Sequence, residues 1–150
     1  AWRQTIFWPF ADFSNLGRGR VLRTFVDVPT YSTRYYDPTR TEELYDKMEA
    51  VPYLKVSAVH SEADRTVTLF MLNRNLSDGI EVDLEATGFG TLSRQRAHEL
   101  RHDDLSALNT KEKPDEIKPR EFDAIEATNG WIKIKLSPAS WTVVRFDTSK

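Results

Sequence analysis

The hydrophobic positions change period along the chain. In residues 5–25 the apolar side chains Ile6, Phe7, Phe10, Phe13, Leu16, Val21, Leu22 and Phe25 fall mostly at three- and four-residue steps, the spacing that lines a helix face. Pro9 suits a first turn and glycine a stop, so a helix is expected to begin near Pro9 and end before Gly17 or Gly19. A face this aromatic exceeds what one short helix needs, and its expected partner is a large apolar surface. From Val51 onward the period is two. LKVSAVHSE, TVTLFMLNRN, IEVDLEATGF, RQRAHEL, WIKIKLS and SWTVVRFD read as strands, separated by turn signals at Asp64-Arg65, Ser77-Asp78-Gly79, Gly88 to Gly90, Asn129-Gly130 and Pro138.

Two of these strands show their faces directly. Ile80, Val82, Leu84 and Ala86 alternate with Glu81, Asp83 and Glu85, and Ile132, Ile134 and Leu136 alternate with lysines, as in strands with one wet face. TLFMLN is apolar on both faces and is expected to be a central strand. Six to eight short strands at close spacing predict a mainly β chain, an antiparallel β-sandwich or jelly roll. Residues 105–127 read as a polar loop with two prolines.

Between these zones, residues 26–50 read as a linker with one inserted short helix. Thr39 or Thr41 would cap that helix, Leu44, Tyr45 and Met48 would share its apolar face, and acidic residues would sit at its N-terminal end. The remaining charges of this zone are expected to form a solvated face.

Composition narrows the picture. A chain of 150 residues with 39% hydrophobic and 29% charged residues suits one globular body with a real core. A net charge of -2, with a pI near 6.0, gives no basic field for a phosphate backbone, so nucleic acid is not an expected partner. Without cysteine there is no disulfide or thiolate chemistry. No apolar run approaches the ~20 residues that span a bilayer, and no signal segment precedes the first apolar stretch, so no membrane partner and a place inside the cell are expected. The first residue is Ala1, which suggests a fragment or a processed product.

Few residues offer chemistry. His102-Asp103-Asp104 could ligate a metal or move a proton, but adjacent residues on an extended chain point apart and no second ligand cluster stands nearby, so no metal site is expected. His60 and His98 stand alone on strand-like segments and read as packed or half-exposed. No nucleophile elbow, phosphate loop or zinc spacing occurs. Asn75-Leu76-Ser77 fits a glycosylation sequon, and Trp131 and Trp141 are candidates for stacking on a sugar, although core or interface is the plainer reading.

WRQTIFWPF followed by GRGRVL, then VPYLKVSAVHSE, TLFMLNRN, HELRHDDLSALNTKEKPD and the closing LSPASWTVVRF resemble, in that order and spacing, the C-terminal portion of glycoside hydrolase family 51 α-L-arabinofuranosidases. The resemblance covers nearly the whole chain; residues 37–50 look like an insertion. It implies that residues 1–25 are the end of a catalytic (β/α)8 barrel, with WRQT at the last barrel strand or the loop after it and FWPFADFSNLGRG as the last barrel helix. Residues 26–50 would be the linker and residues 51–150 the C-terminal β-sandwich.

The activity implied is retaining hydrolysis of terminal α-L-arabinofuranosyl bonds of arabinan or arabinoxylan, by two glutamates ~5 Å apart through a covalent glycosyl-enzyme. Those glutamates belong to earlier barrel strands, so no catalytic residue and no cofactor are expected in this chain, which alone should be inactive. Gln4 matches the position of a substrate-binding amide, which offers both a donor and an acceptor to sugar hydroxyls. Trp2 and Arg3 would shape the pocket. The implied partners are the catalytic barrel, an arabinofuranosyl saccharide and further copies of the enzyme in a homo-oligomer. The alternatives are a stand-alone carbohydrate-binding sandwich using Trp131 or Tyr53, and a structural or oligomer-forming module.

Overall fold

The computed structural model describes residues 2–36, 45–128 and 131–149. Helix α1 (Phe7–Leu16) is followed by eleven strands among these residues: β1 (Arg20–Leu22), β2 (Thr30–Tyr36), β3 (Tyr45–Pro52), β4 (Leu54–Ser61), β5 (Thr66–Asn73), β6 (Ile80–Glu85), β7 (Leu92–Leu100), β8 (Arg120–Glu121), β9 (Ile125–Thr128), β10 (Trp131–Leu136) and β11 (Ser140–Thr148). A six-stranded sheet runs β1-β4-β5-β11-β7-β8 and a three-stranded sheet runs β6-β10-β9. Every pairing is antiparallel. The expected antiparallel sandwich is the architecture found.

Alternation explains the layers. Val67, Leu69 and Met71 of β5, Val144 and Phe146 of β11, and Ile132, Ile134 and Leu136 of β10 form one buried cluster. It fills the gap between the sheets, because side chains two apart on a strand share a face. Ile80, Val82 and Leu84 close it from β6. The intervening residues of β5 and β11 point to the opposite face of the large sheet, where Phe70 and Val143 form a second cluster with Val59 of β4. Central strand β5, between β4 and β11, therefore has apolar residues on both faces, as its sequence predicts.

Three expectations differ from the structure. The N-terminal helix starts at Phe7 rather than near Pro9, and Val21 and Leu22 belong to strand β1. Pro9 is then the third helical residue, where its missing N–H would have had no intrahelical partner anyway. Gly19 makes the passage into β1 possible: its φ is +142°, and a Cβ there would lie 2.3 Å from the His60 carbonyl oxygen. Only glycine tolerates both conditions. The second difference concerns the inserted helix. Tyr45 and Met48 lie on β3, which pairs with β2 as a two-stranded hairpin, so cross-strand pairing overrides the local helical reading; Thr39, Thr41 and Leu44 lie outside the described residues. Third, the polar loop contains β8 and β9, short strands that add to β7 and β10.

The outer face of the small sheet is charged. Lys133 Nζ lies 2.8 Å from Glu81 Oε1 and 3.7 Å from Asp83 Oδ1, and Lys135 lies 3.4 Å from Glu126. The hydrogen bond from Lys133 holds the Glu81 carboxyl below its ordinary range, and that bond likewise raises Lys133. By linkage, Glu81 stabilises the fold above the unfolded carboxylate range and loses this as pH falls through its lowered value. Lys133 stabilises it below the unfolded lysine range and loses this as pH rises through its raised value. Both groups are solvent-exposed, so salt weakens the effect.

Two outcomes are expected. Phe146→Ala, at a fully buried position, should destabilise the chain by about 3–5 kcal/mol, read as a lower urea midpoint; an unchanged midpoint would contradict the core assignment. In an NMR titration Glu81 should ionise below the ordinary glutamate range, and Lys133→Met should remove most of that lowering.

Candidate functional site

The segment that carries Gln4 and α1 lies against the outer face of the six-stranded sheet. Trp8, Asp12 and Leu16 recur every four residues, which places them on one helical stripe. All three are at least partly buried, and Leu16 joins the Phe70 and Val143 cluster. Phe13 stacks on Phe70 with ring centroids 4.4 Å apart and lies 5.3 Å from Trp141. Such aromatic pairs contribute about 0.5–1.5 kcal/mol beyond their area.

Asp12 fixes this packing. Trp141 Nε1 donates to Asp12 Oδ2 at 2.9 Å, and His98 Nε2 lies 2.9 Å from Asp12 Oδ1. An ionised carboxylate only accepts, so the imidazole proton on that bond sits on Nε2. Side-chain exposure is small at both Asp12 and His98, and His98 Nδ1 is buried without a hydrogen-bond partner. One carboxylate thus joins the helix to β7 through His98 and to β11 through Trp141. Charge-assisted bonds of this kind contribute about 1.5–3 kcal/mol each.

A second connection holds the start of the segment. Asn109 Nδ2 donates to the Arg3 carbonyl at 2.9 Å and to the Ile117 carbonyl at 2.8 Å, while its Oδ1 accepts from Ile117 N at 2.7 Å. Trp8 Nε1 also donates to the Ile117 carbonyl, at 3.3 Å. The Arg3 guanidinium lies 5.3 Å from the ring centroids of both Phe7 and Trp8, a cation–π arrangement. Gln4 follows this anchored residue; its carbonyl accepts from Phe7 N at 2.9 Å and the residue is exposed.

The other side of the helix is uncovered. Ile6 is 66% and Phe10 70% exposed, and Trp2 and Phe7 are also exposed. A helix apolar on both stripes ordinarily sits between two bodies, and the sandwich covers only one stripe.

The remaining candidates, Trp141 apart, make their contacts elsewhere. His102 Nδ1 accepts from Asp104 N at 3.1 Å and its Nε2 lies 3.7 Å from Glu116, while Asp103 pairs with Arg101. Among the described residues no group of three potential metal ligands comes together. The His60 ring meets Phe89 at 5.0 Å. Asn75 Oδ1 accepts from the backbone N–H groups of Ser77 and Asp78, so its side chain shapes a turn. Trp141 is part of the helix contact, Tyr53 lies against Tyr31, and Trp131 is 59% exposed on the charged sheet face. Asp12 and Asn109 were not singled out from the sequence, and His98 was read without a partner. The bonds that join them to the N-terminal segment span 86 to 129 residues, and local spacing carries no trace of such pairs.

Comparison with known proteins resolves the family. Residues 1–140 match the family model described as the alpha-L-arabinofuranosidase C-terminal domain. The chain belongs to this family. It is 31% identical over 145 residues to an intracellular exo-alpha-(1->5)-L-arabinofuranosidase of Streptomyces lividans, with 97% of the chain covered and 20% of the relative. An exo-alpha-(1->6)-L-arabinofuranosidase of Bifidobacterium longum is 32% identical over 147 residues, covering 96% of the chain and 26% of the relative. Among solved structures, a family 51 alpha-L-arabinofuranosidase from Bifidobacterium longum superposes with a TM-score of 0.78 at 26% identity, over 97% of this chain and 26% of that one. The chain therefore spans about a fifth to a quarter of the length of these relatives. The resemblance to the C-terminal portion of family 51 enzymes holds. Among the described residues no helix is long and apolar enough to cross a membrane.

The docking of α1 has a direct test. Asp12→Ala leaves a buried and a partly buried donor without an acceptor and should destabilise the chain by about 2–4 kcal/mol, with altered Trp141 fluorescence. An unchanged urea midpoint and spectrum would contradict the Asp12 contacts.

Proposed function

We propose that the chain is the non-catalytic C-terminal part of an intracellular retaining α-L-arabinofuranosidase, which it supports through α1 and supplies with one substrate contact. The observation that carries this reading is the two-sided helix: one stripe held on the sandwich by Asp12, the other exposing Ile6, Phe7 and Phe10. In this reading the exposed stripe packs on a (β/α)8 barrel whose last part is the segment up to α1, whereas β1 already pairs with β4 in the sandwich sheet. Residues 26–50 then connect β1 to the remainder of the sandwich in residues 51–150. The two catalytic glutamates reside on the barrel, and the carboxylate of Asp12 has a structural role.

Gln4 is the proposed substrate contact. Its amide supplies a donor and an acceptor to the hydroxyls of a terminal arabinofuranosyl group, and its exposure leaves it free to do so. The names of the relatives support terminal α-L-arabinofuranosyl groups as substrate and a place inside the cell. Assembly into a homo-oligomer remains part of the proposal, carried by the family likeness alone. The alternative carbohydrate-binding reading rests on exposed Trp131, and would be favoured if the chain alone bound arabinan and Trp131→Ala abolished binding.

A chromogenic α-L-arabinofuranoside tests the reading. The full-length enzyme carrying this chain should hydrolyse it, and Gln4→Ala should lower kcat/KM about tenfold or more, as expected for loss of a contact to the reacting sugar. The chain by itself should give no turnover; hydrolysis by it alone would overturn the assignment of catalysis to the barrel.

A further inference from the structure

We propose that Asn109 is the positioning residue for Gln4, an inference that rests on Gln4 being the substrate contact. Asn109 is 3% exposed, and its amide is bonded at both ends. One Nδ2 hydrogen goes to the Arg3 carbonyl and the other to the Ile117 carbonyl, while Oδ1 takes the Ile117 N–H. The bonds to Ile117 fix the plane of the side-chain amide. The remaining hydrogen is thereby aimed at the peptide bond that joins Arg3 to Gln4.

That peptide bond is the last backbone group before the Gln4 side chain departs. Its planarity transmits the restraint: the Arg3 carbonyl, the Gln4 nitrogen and the Gln4 Cα belong to one rigid planar group, so holding the carbonyl limits where the other two can go. On the far side, the Gln4 carbonyl accepts from Phe7 N in the first turn of α1. Gln4 is held from both directions by backbone groups while its side chain stays exposed. Neither bond uses the Gln4 amide, which is left whole for a ligand.

The residue type follows from the geometry. Two donors and an acceptor on one planar group are what the two carbonyls and one N–H require, and an amide provides them without a charge. Aspartate is isosteric but would turn an acceptor toward two carbonyls. The anchor also belongs to the sandwich, so the segment that reaches the substrate takes its position from the domain without the catalytic glutamates.

The test is a double-mutant cycle in the full-length enzyme, with kcat and KM measured for Gln4→Ala, Asn109→Asp and the double variant on a chromogenic α-L-arabinofuranoside. Asn109→Asp is expected to lower kcat/KM about tenfold with Gln4 present, within the ~10²-fold that an ångström-scale misplacement costs, and less than about twofold in the Gln4→Ala background. A purely structural role would give the same loss in both backgrounds and would overturn the proposal. A loss with Gln4→Ala but none with Asn109→Asp also overturns it while leaving the reading of Gln4 intact. No loss with Gln4→Ala overturns that reading, and the proposal with it. If Asn109→Asp fails to fold, Asn109→Ser removes the reach to Arg3 without adding a charge and runs the same cycle.

Discussion

The arrangement of this chain depends on one carboxylate shared by two strands. Asp12 accepts from Trp141 on β11 and from His98 on β7, both at 2.9 Å, and those strands are neighbours in the large sheet. A largely buried carboxylate is costly unless its oxygens are satisfied, and here each oxygen has a donor, one buried and one partly buried. The bond geometry selects one orientation of the helix on the sheet, whereas apolar packing of Phe13 and Leu16 alone would tolerate several.

From that fixed orientation the exposed features follow. Once Trp8, Asp12 and Leu16 face the sandwich, the stripe of Ile6, Phe7 and Phe10 must face outward, because a helix turns 100° per residue. The segment before the helix is then drawn beside the loop carrying Asn109 and Ile117, and Gln4 emerges at its exposed edge. The sandwich thus acts as a frame for a short N-terminal segment whose other side suits a second body.

The sheet was legible in the sequence where alternation was strict. IEVDLEA and WIKIKLS each separate an apolar from a charged face, and they became the paired strands β6 and β10. The doubly apolar TLFMLN became central because α1 covers the second face of β5, through the Phe13 and Phe70 stack. Short or weakly patterned strands were not legible: β8 has two residues, and β3 owes its form to pairing with β2. The contacts of the candidate site were closed to sequence reasoning for a different reason. Asp12, His98, Asn109 and Trp141 each have ordinary local contexts, and only the tertiary fold brings them to their partners. Gln4 is proposed from family likeness rather than from any local pattern.

The claim that α1 is docked in a fixed orientation on the sandwich is tested most directly by native-state hydrogen exchange of the chain. The account predicts that the α1 amides with intrahelical bonds are protected well above the level of a free peptide, and that Asp12→Ala abolishes this protection while β5 and β11 stay protected. Exchange of the α1 amides at free-peptide rates in the unaltered chain would contradict it.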